Sequence, residues 1–320
     1  APDASTFVLA RAIAGAGNAA YLGCAQVYLT DISESTSRAR VLGANHAALL
    51  SGVSLGPALG GICAETLGLR APFLLVGSLA TVSAIASQFL LVDDKKQFQT
   101  AHHKKRHEQN NDITRALLSD PKFISLGLAH FSSFALRQGG RNLLLALIAT
   151  THFGYSAADL GYLFGIMALT DLTLLPISSM LSDRLSDRRF VAVPSLSLSA
   201  FAVCSLVFIP SEPSVTMNHE LFLATVALWS LSTGLLGPSL PAFASDIVPE
   251  RHRGLGIALF RSCGDLGFVI APLALGTIVD YAGTTPAAIS LASFVTFSAV
   301  AFARFGGSPI NQQQLSNKSR

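Results

Sequence analysis

Charge is the first thing this sequence lacks. Asp, Glu, Lys and Arg make up 13% of its 320 residues, against roughly 25% in a soluble domain. Half of the residues are hydrophobic, so water is not the main solvent of the chain. Tryptophan occurs once, at Trp229. The four cysteines, Cys24, Cys63, Cys204 and Cys263, make no C-x-x-C or other metal-binding spacing. They read as small apolar packing residues. Also missing are H-E-x-x-H, G-x-S-x-G and a Walker-type loop. Those absences argue against a membrane-embedded enzyme and against an ATP-driven pump. No metal or cofactor is expected.

What is present is length of apolar run. Crossing a bilayer takes roughly 20 residues, and nine stretches qualify: 6–30, 40–64, 71–92, 123–150, 157–181, 190–210, 219–244, 255–279 and 286–305. Small residues interrupt them more often than charges do, as membrane helices tolerate. The expected fold class is an all-α integral membrane bundle.

Basic residues mark the cytoplasmic side. Seventeen of the 22 Lys and Arg fall in the loops after the first, third, fifth, seventh and ninth spans; the other side holds only Arg70. The expected topology starts outside and ends inside, and the positive net charge follows from it without any nucleic-acid surface. The loop 93–122 is then a cytoplasmic linker, with His102, His103 and His107 as solvated residues. It separates a partial bundle, 1–92, from a second bundle, 123–306; residues 307–320 form a cytoplasmic tail.

The two bundles contain a repeat. Laying 29–65 over 244–280 without a gap superimposes Asp31 on Asp246, Arg38 on Arg253, Gly52 on Gly267, Pro57 on Pro272 and Gly61 on Gly276. These are structure-setting residue types, so the match reads as a duplication. Six spans separate the copies, so both point the same way through the membrane. Two same-facing halves related by an axis along the membrane normal are one plan of secondary transporters. By this correspondence spans four to six have counterparts ahead of residue 1, and the chain opens on Ala1 rather than Met. The expectation is nine helices of a twelve-helix protein.

Three motifs carry a resemblance. "RAIAGAGNAA" (11–20) is similar to an R-x-x-x-G-x-G pattern. Gly43, Gly52, Gly56, Pro57, Gly60 and Gly61 form G-x(8)-G-x(3)-G-P-x(2)-G-G. "SMLSDRLSDRR" (179–189) resembles G-x-L-x-D-R-x-G-R-R, with Ser179 and Ser186 in place of glycines and Asp187 at a basic position. Together they resemble the major facilitator superfamily, where the glycine-proline string is called the antiporter motif. The resemblance implies alternating-access transport of a small solute. It points to proton-coupled efflux of drugs or metabolites by a monomer in a lipid bilayer. A uniporter or importer of the same fold, and a truncated protein that transports nothing, remain as alternatives.

The site residues follow from cost. A charge at mid-bilayer costs roughly 2.5–3.5 kcal/mol even on the mildest scale, so it faces a cavity or a partner. Arg137 lies near the middle of the fourth span, with Arg141 one helical turn on and expected on the same face. Gln138 and Asn142 form a second polar stripe. Asp171, at mid-depth in the fifth span, is the expected partner of Arg137. Arg261 and Asp265 are spaced to pair along their own helix. Arg11 and Asn18 add polar groups to the first span. Proton-coupling candidates are Asp171, Asp265 and His46. Trp229 and Ser230 line the cavity or face lipid. Asp31 with Arg38, Asp246 with Arg253, and Asp183 with Arg184 are expected as cytoplasmic gate pairs. Gly43, Gly52, Gly56, Pro57, Gly60, Gly61 and Pro272 are expected to form smooth, bent pivots, because missing side chains let helices approach and proline removes a backbone hydrogen bond.

Overall fold

The computed structural model describes residues 3–32, 38–90, 113–185, 187–208, 216–248 and 252–307. They are helical throughout apart from turns. The helices are α1 (Ala4–Ile32), α2 (Arg38–Leu67), α3 (Ala71–Leu90), α4 (Pro121–Ala135), a π-helical segment (Leu136–Leu145), α5 (Ala146–Phe153), α6 (Ala157–Arg184), α7 (Arg189–Ser205), α8 (Thr216–Leu236), α9 (Ser239–Ile247), α10 (Arg253–Ala282) and α11 (Thr284–Phe305). Six helices among the described residues are long and apolar enough to cross a membrane: 71–89, 157–182, 189–208, 219–247, 254–282 and 284–305. Of the other expected spans, α1 and α2 have the length. Their glycine, serine and asparagine content dilutes their hydropathy. The fourth runs on through a change of helix type, described below.

The residues form two compact units, Ala1–Gly56 and Pro57–Arg320, so the division falls inside α2. In the first unit, α1 starts on Asp3, whose carboxylate accepts from the Thr6 amide at 2.9 Å. Arg11, Asn18 and the apolar Phe7, Leu9 and Ile13 of α1 are exposed.

In the second unit, α4 packs on α10 and α11, α7 on α8 and α11, and α6 on α8. Its core holds Phe123, Leu136, Leu144, Met167, Leu196, Phe222, Trp229, Leu236 and Phe302. Local chemistry sets the ends. Asp120 caps α4 by accepting from the Lys122 amide, and Pro121 takes the first turn, where its missing N–H costs nothing. Gly154, at φ +69°, closes α5 in the left-handed conformation that glycine adopts without penalty. Ser156 and Asp159 then open α6 with a reciprocal capping box.

Glycine decides two helix contacts. At Gly61 of α2 an added Cβ would lie 2.6 Å from the Ala157 carbonyl oxygen and 3.1 Å from the Gly161 Cα. At Gly161 of α6 it would lie 2.7 Å from the Pro57 carbonyl oxygen. Here the two backbones touch. Gly52, Gly56 and Gly60 meet nothing within 4 Å. In the second copy of the repeat the use is reversed. Gly267 of α10 lies against the Phe131 backbone of α4, whereas Gly276 is only in ordinary contact with Leu143, at 3.9 Å. The repeat preserves residue types, and each copy spends them on a different neighbour. The surroundings of Gly43 lie outside the described residues.

Hydroxyls join α7 to α8. Ser199 donates to Ser232 at 2.7 Å, and Ser205 and Thr225 share a hydrogen bond at 2.9 Å. Such bonds between apolar helices satisfy groups that lipid would leave unpaired.

Candidate functional site

The fourth expected span is one continuous helix from Pro121 to Phe153 with a change of winding in its centre. Residues 136–145, LRQGGRNLLL, form the π-helical segment, and φ/ψ stays helical across both junctions. Bonding from i to i+5 widens the turn, and such insertions concentrate at functional sites. Two glycines sit at its middle. A Cβ on Gly139 would meet Leu275 at 2.7 Å and Ala271 at 3.0 Å; one on Gly140 would meet the indole ring of Trp229 at 2.6 Å. The wide segment fits against α10 on one side and Trp229 on the other only because both side chains are absent.

Arg141 follows directly. It is 9% exposed, and its Nη1 donates to the Asp171 carboxylate of α6 at 3.2 Å. The second Asp171 oxygen accepts from the Thr233 hydroxyl of α8 at 2.9 Å. Thr233 Oγ1 also lies 3.1 Å from the Trp229 carbonyl and 3.3 Å from that of Ser230. One carboxylate therefore bridges three spans, each near its middle.

This arrangement corrects the expected pairing. Asp171 is held by Arg141, not Arg137. Arg141, one turn beyond Arg137, is the buried one of the two; Arg137 is half-buried and makes no ion pair among the described residues. Gln138 and Asn142 satisfy one another, Asn142 donating at 2.9 Å. Arg261 and Asp265 are both exposed on α10, and no ion pair joins them. Trp229 is fully buried, which removes the lipid-facing alternative. Ser230 is buried beside it.

Sequence reasoning missed His130. It is buried in α4, stacked on Phe260 with ring centroids 3.8 Å apart and edge-on to Phe134 at 4.9 Å. It also missed Gly161, although Gly161 and Gly165 form a G-x-x-x-G readable in the sequence.

At the helix ends, Asp246 of α9 accepts from Arg188 Nε at 2.6 Å, and Arg188 Nη1 donates to Ser182 of α6 at 3.0 Å. The expected partner, Arg253, has its side chain outside the described residues, as do Asp31, Arg38 and Asp183; Arg184 is exposed. Asp187, the departure from the loop motif, caps α7. It accepts from the Arg189 amide at 2.9 Å and from Arg189 Nε at 2.7 Å. Burial pushes its carboxyl up, but the hydrogen bonds and charge of Arg189 outweigh this and hold it below the usual carboxylate range. On the opposite end, Tyr155 Oη hydrogen-bonds His219 Nε2 at 2.8 Å beside Phe153 and Phe222. Partial burial and the Asp159 carboxylate push the Tyr155 phenol up.

Comparison with known proteins agrees with this architecture. The Major Facilitator Superfamily model matches residues 1–137 and 126–319. Multidrug resistance protein 2 of Bacillus subtilis is 22% identical over 280 residues, covering 86% of this chain and 67% of that protein. The multi-drug resistance efflux pump PmrA homolog of Lactococcus lactis is 23% identical, with 79% and 60% covered. Quinolone resistance protein NorA of Staphylococcus aureus is 26% identical, with 86% and 67% covered. The chain thus spans about two thirds of the length of these relatives. The crystal structure of a bacterial homologue of the human lysosomal transporter Spinster, inward-facing and unoccupied, shares the fold at a TM-score of 0.56 and 16% identity. It covers 92% of this chain and 74% of that one. With the family matched over nearly its whole length and a charged bridge at mid-span in its helical bundle, the chain belongs to the Major Facilitator Superfamily of multi-pass membrane transporters.

Proposed function

We propose that this protein exports a small organic solute in exchange for protons, by alternating access. The observation that carries the reading is the Asp171 carboxylate, largely enclosed at mid-span between Arg141 and Thr233. Ionised, it holds the guanidinium in place between three helices. Protonated, it loses the charge that does so, and the bridge loosens. A solute bound through the ordered arginine and a proton on Asp171 then exclude one another, as exchange requires. The names of the relatives, two of them drug-resistance proteins and one an efflux pump, support the export direction.

The seam of Gly61 and Gly161 is the pivot in this scheme. Backbones in contact slide without unlocking interdigitated side chains, and Pro57 lacks the amide that would bond back to Val53. The charged groups at the helix ends serve as the cytoplasmic gate. An exposed pair contributes only about 0–1 kcal/mol, which suits a contact broken every cycle. The chain starts outside and ends in the cytoplasm, on the strength of the basic-residue asymmetry. Thiols introduced beside Ile32 and Ile247 should then both label from the cytoplasmic face. Labelling from opposite faces overturns the orientation and the parallel repeat together.

The function is tested in inverted vesicles with an imposed pH gradient, acid inside, and a fluorescent quinolone as probe. Accumulation should follow the gradient and collapse with it. Asp171→Asn should abolish the gradient dependence. Equal flux with and without the gradient would make the protein a uniporter, and no flux at all would leave it without a transport role.

A further inference from the structure

Arg141 carries five N–H donors, and among the described residues one of them is used, at 3.2 Å to Asp171. Its Nε is buried with no hydrogen-bond partner. The Trp229 Nε1 is also buried with no partner, and that side chain is 0% exposed. Buried donors are satisfied in the great majority of cases, and each exception calls for an explanation. These two occur together. The Trp229 ring lies against Gly140, the residue before Arg141, and the Trp229 carbonyl lies one turn from its α8 neighbour Thr233, which closes the bridge at Asp171. No acceptor group among the described residues serves either donor, and an unmet N–H in an apolar surround is costly.

The charge balance points the same way. Along the spans of the second bundle the central charges are Arg137, Arg141 and Arg261 against Asp171 and Asp265. Cations are in excess there, and hydrogen-bond donors outnumber acceptors at the bridge itself.

We infer that the transported solute presents an sp2 oxygen acceptor, a carbonyl or carboxylate, to Arg141 and Trp229. This deepens the export reading and rests on taking the bridge as the transport site. Asp171 acts as a positioning residue: ionised, it presents the remaining guanidinium donors to the solute oxygen. A solute with donors only gains nothing from either orphan group.

Trp229 is the only tryptophan of the chain, so its fluorescence reports this site without background. The purified protein, in lipid vesicles that contain no other protein, is titrated with three probes of one ring size: benzamide, benzoate and benzylammonium. Benzamide and benzoate should shift the emission to longer wavelength, saturably, as the indole N–H gains an acceptor; benzylammonium should not. A larger response to benzoate assigns an anionic group, a larger one to benzamide a neutral carbonyl. Arg141→Lys keeps the charge but loses Nε and the fork, and should weaken the benzamide or benzoate response about tenfold or more, as expected for a lost charge-assisted hydrogen bond. Three indistinguishable probes, or no response to any, would overturn the inference on the unaltered protein alone, whatever the variant does. The outcomes separate it from export: acceptor-selective binding without gradient-driven flux overturns the export reading only, and gradient-driven flux without acceptor-selective binding overturns this inference only.

Discussion

Asp171→Leu should cost about 3–5 kcal/mol of stability, because it leaves the buried Arg141 cation without its counter-ion. Both side chains of the pair are largely enclosed, at 10% exposed for Arg141 and 15% for Asp171, so solvent does little to screen the loss. The same substitution removes the Asp171 acceptor of the Thr233 hydroxyl, which keeps the Trp229 carbonyl at 3.1 Å as its partner. Arg141→Leu alone should destabilise by a similar amount through the opposite imbalance. The double variant Asp171→Leu with Arg141→Leu should recover most of the loss, since replacing a buried ion pair with apolar groups of similar volume is often neutral or stabilising. Thermal unfolding midpoints in detergent, compared as a double-mutant cycle, measure the coupling. Transport should be absent in all three variants, including the stable one. Two single variants that each unfold within a degree of the parent would show that the bridge is not an enclosed ion pair.

The second large effect is expected at two glycines of one helix, with opposite signs. At Gly267 a Cβ would fall inside contact distance of the Phe131 carbonyl oxygen, and 3.1 and 3.2 Å from its carbonyl carbon and Cα. All three are backbone atoms and cannot rotate away, so α4 and α10 must separate. Gly267→Ala should destabilise by about 1–3 kcal/mol, the usual range for overpacking. Gly276, nine residues on, has only the Leu143 side chain nearby, at 3.9 Å. Gly276→Ala should be neutral or stabilise by up to about 1 kcal/mol through helix propensity. Unfolding midpoints of the two variants, measured side by side, decide it. Equal effects would mean that α4 and α10 are not in backbone contact at Gly267.

The π-helical segment shows where depth along a span misled. Arg137 lies nearest the middle of its span, yet Arg141, one turn on, holds Asp171. The Gly139–Gly140 pair is visible in the sequence, but its consequence is not. Whether a helix widens to i+5 bonding depends on what lies against it, here Ala271, Leu275 and Trp229 from elements 89 to 136 residues further along. Asp246 adds a second case: its partner Arg188 lies 58 residues away, a contact no local spacing suggests. Trp229 is a third case. Its composition allowed a cavity wall or a lipid face, and only the fit of its ring onto Gly140 put it in the core.

Composition and apolar length on their own determined that this is a helical membrane protein, and its motifs resemble the major facilitator superfamily. Apolar length and basic-residue asymmetry are properties of the chain against its solvent, which a bilayer asks of any helical membrane fold. Tertiary structure alone decided which arginine holds the mid-span carboxylate, which glycine of the string bears a neighbouring backbone, and which buried donors go unmet. Those outcomes depend on side chains from distant segments meeting within a few ångströms, and no local pattern records a distance.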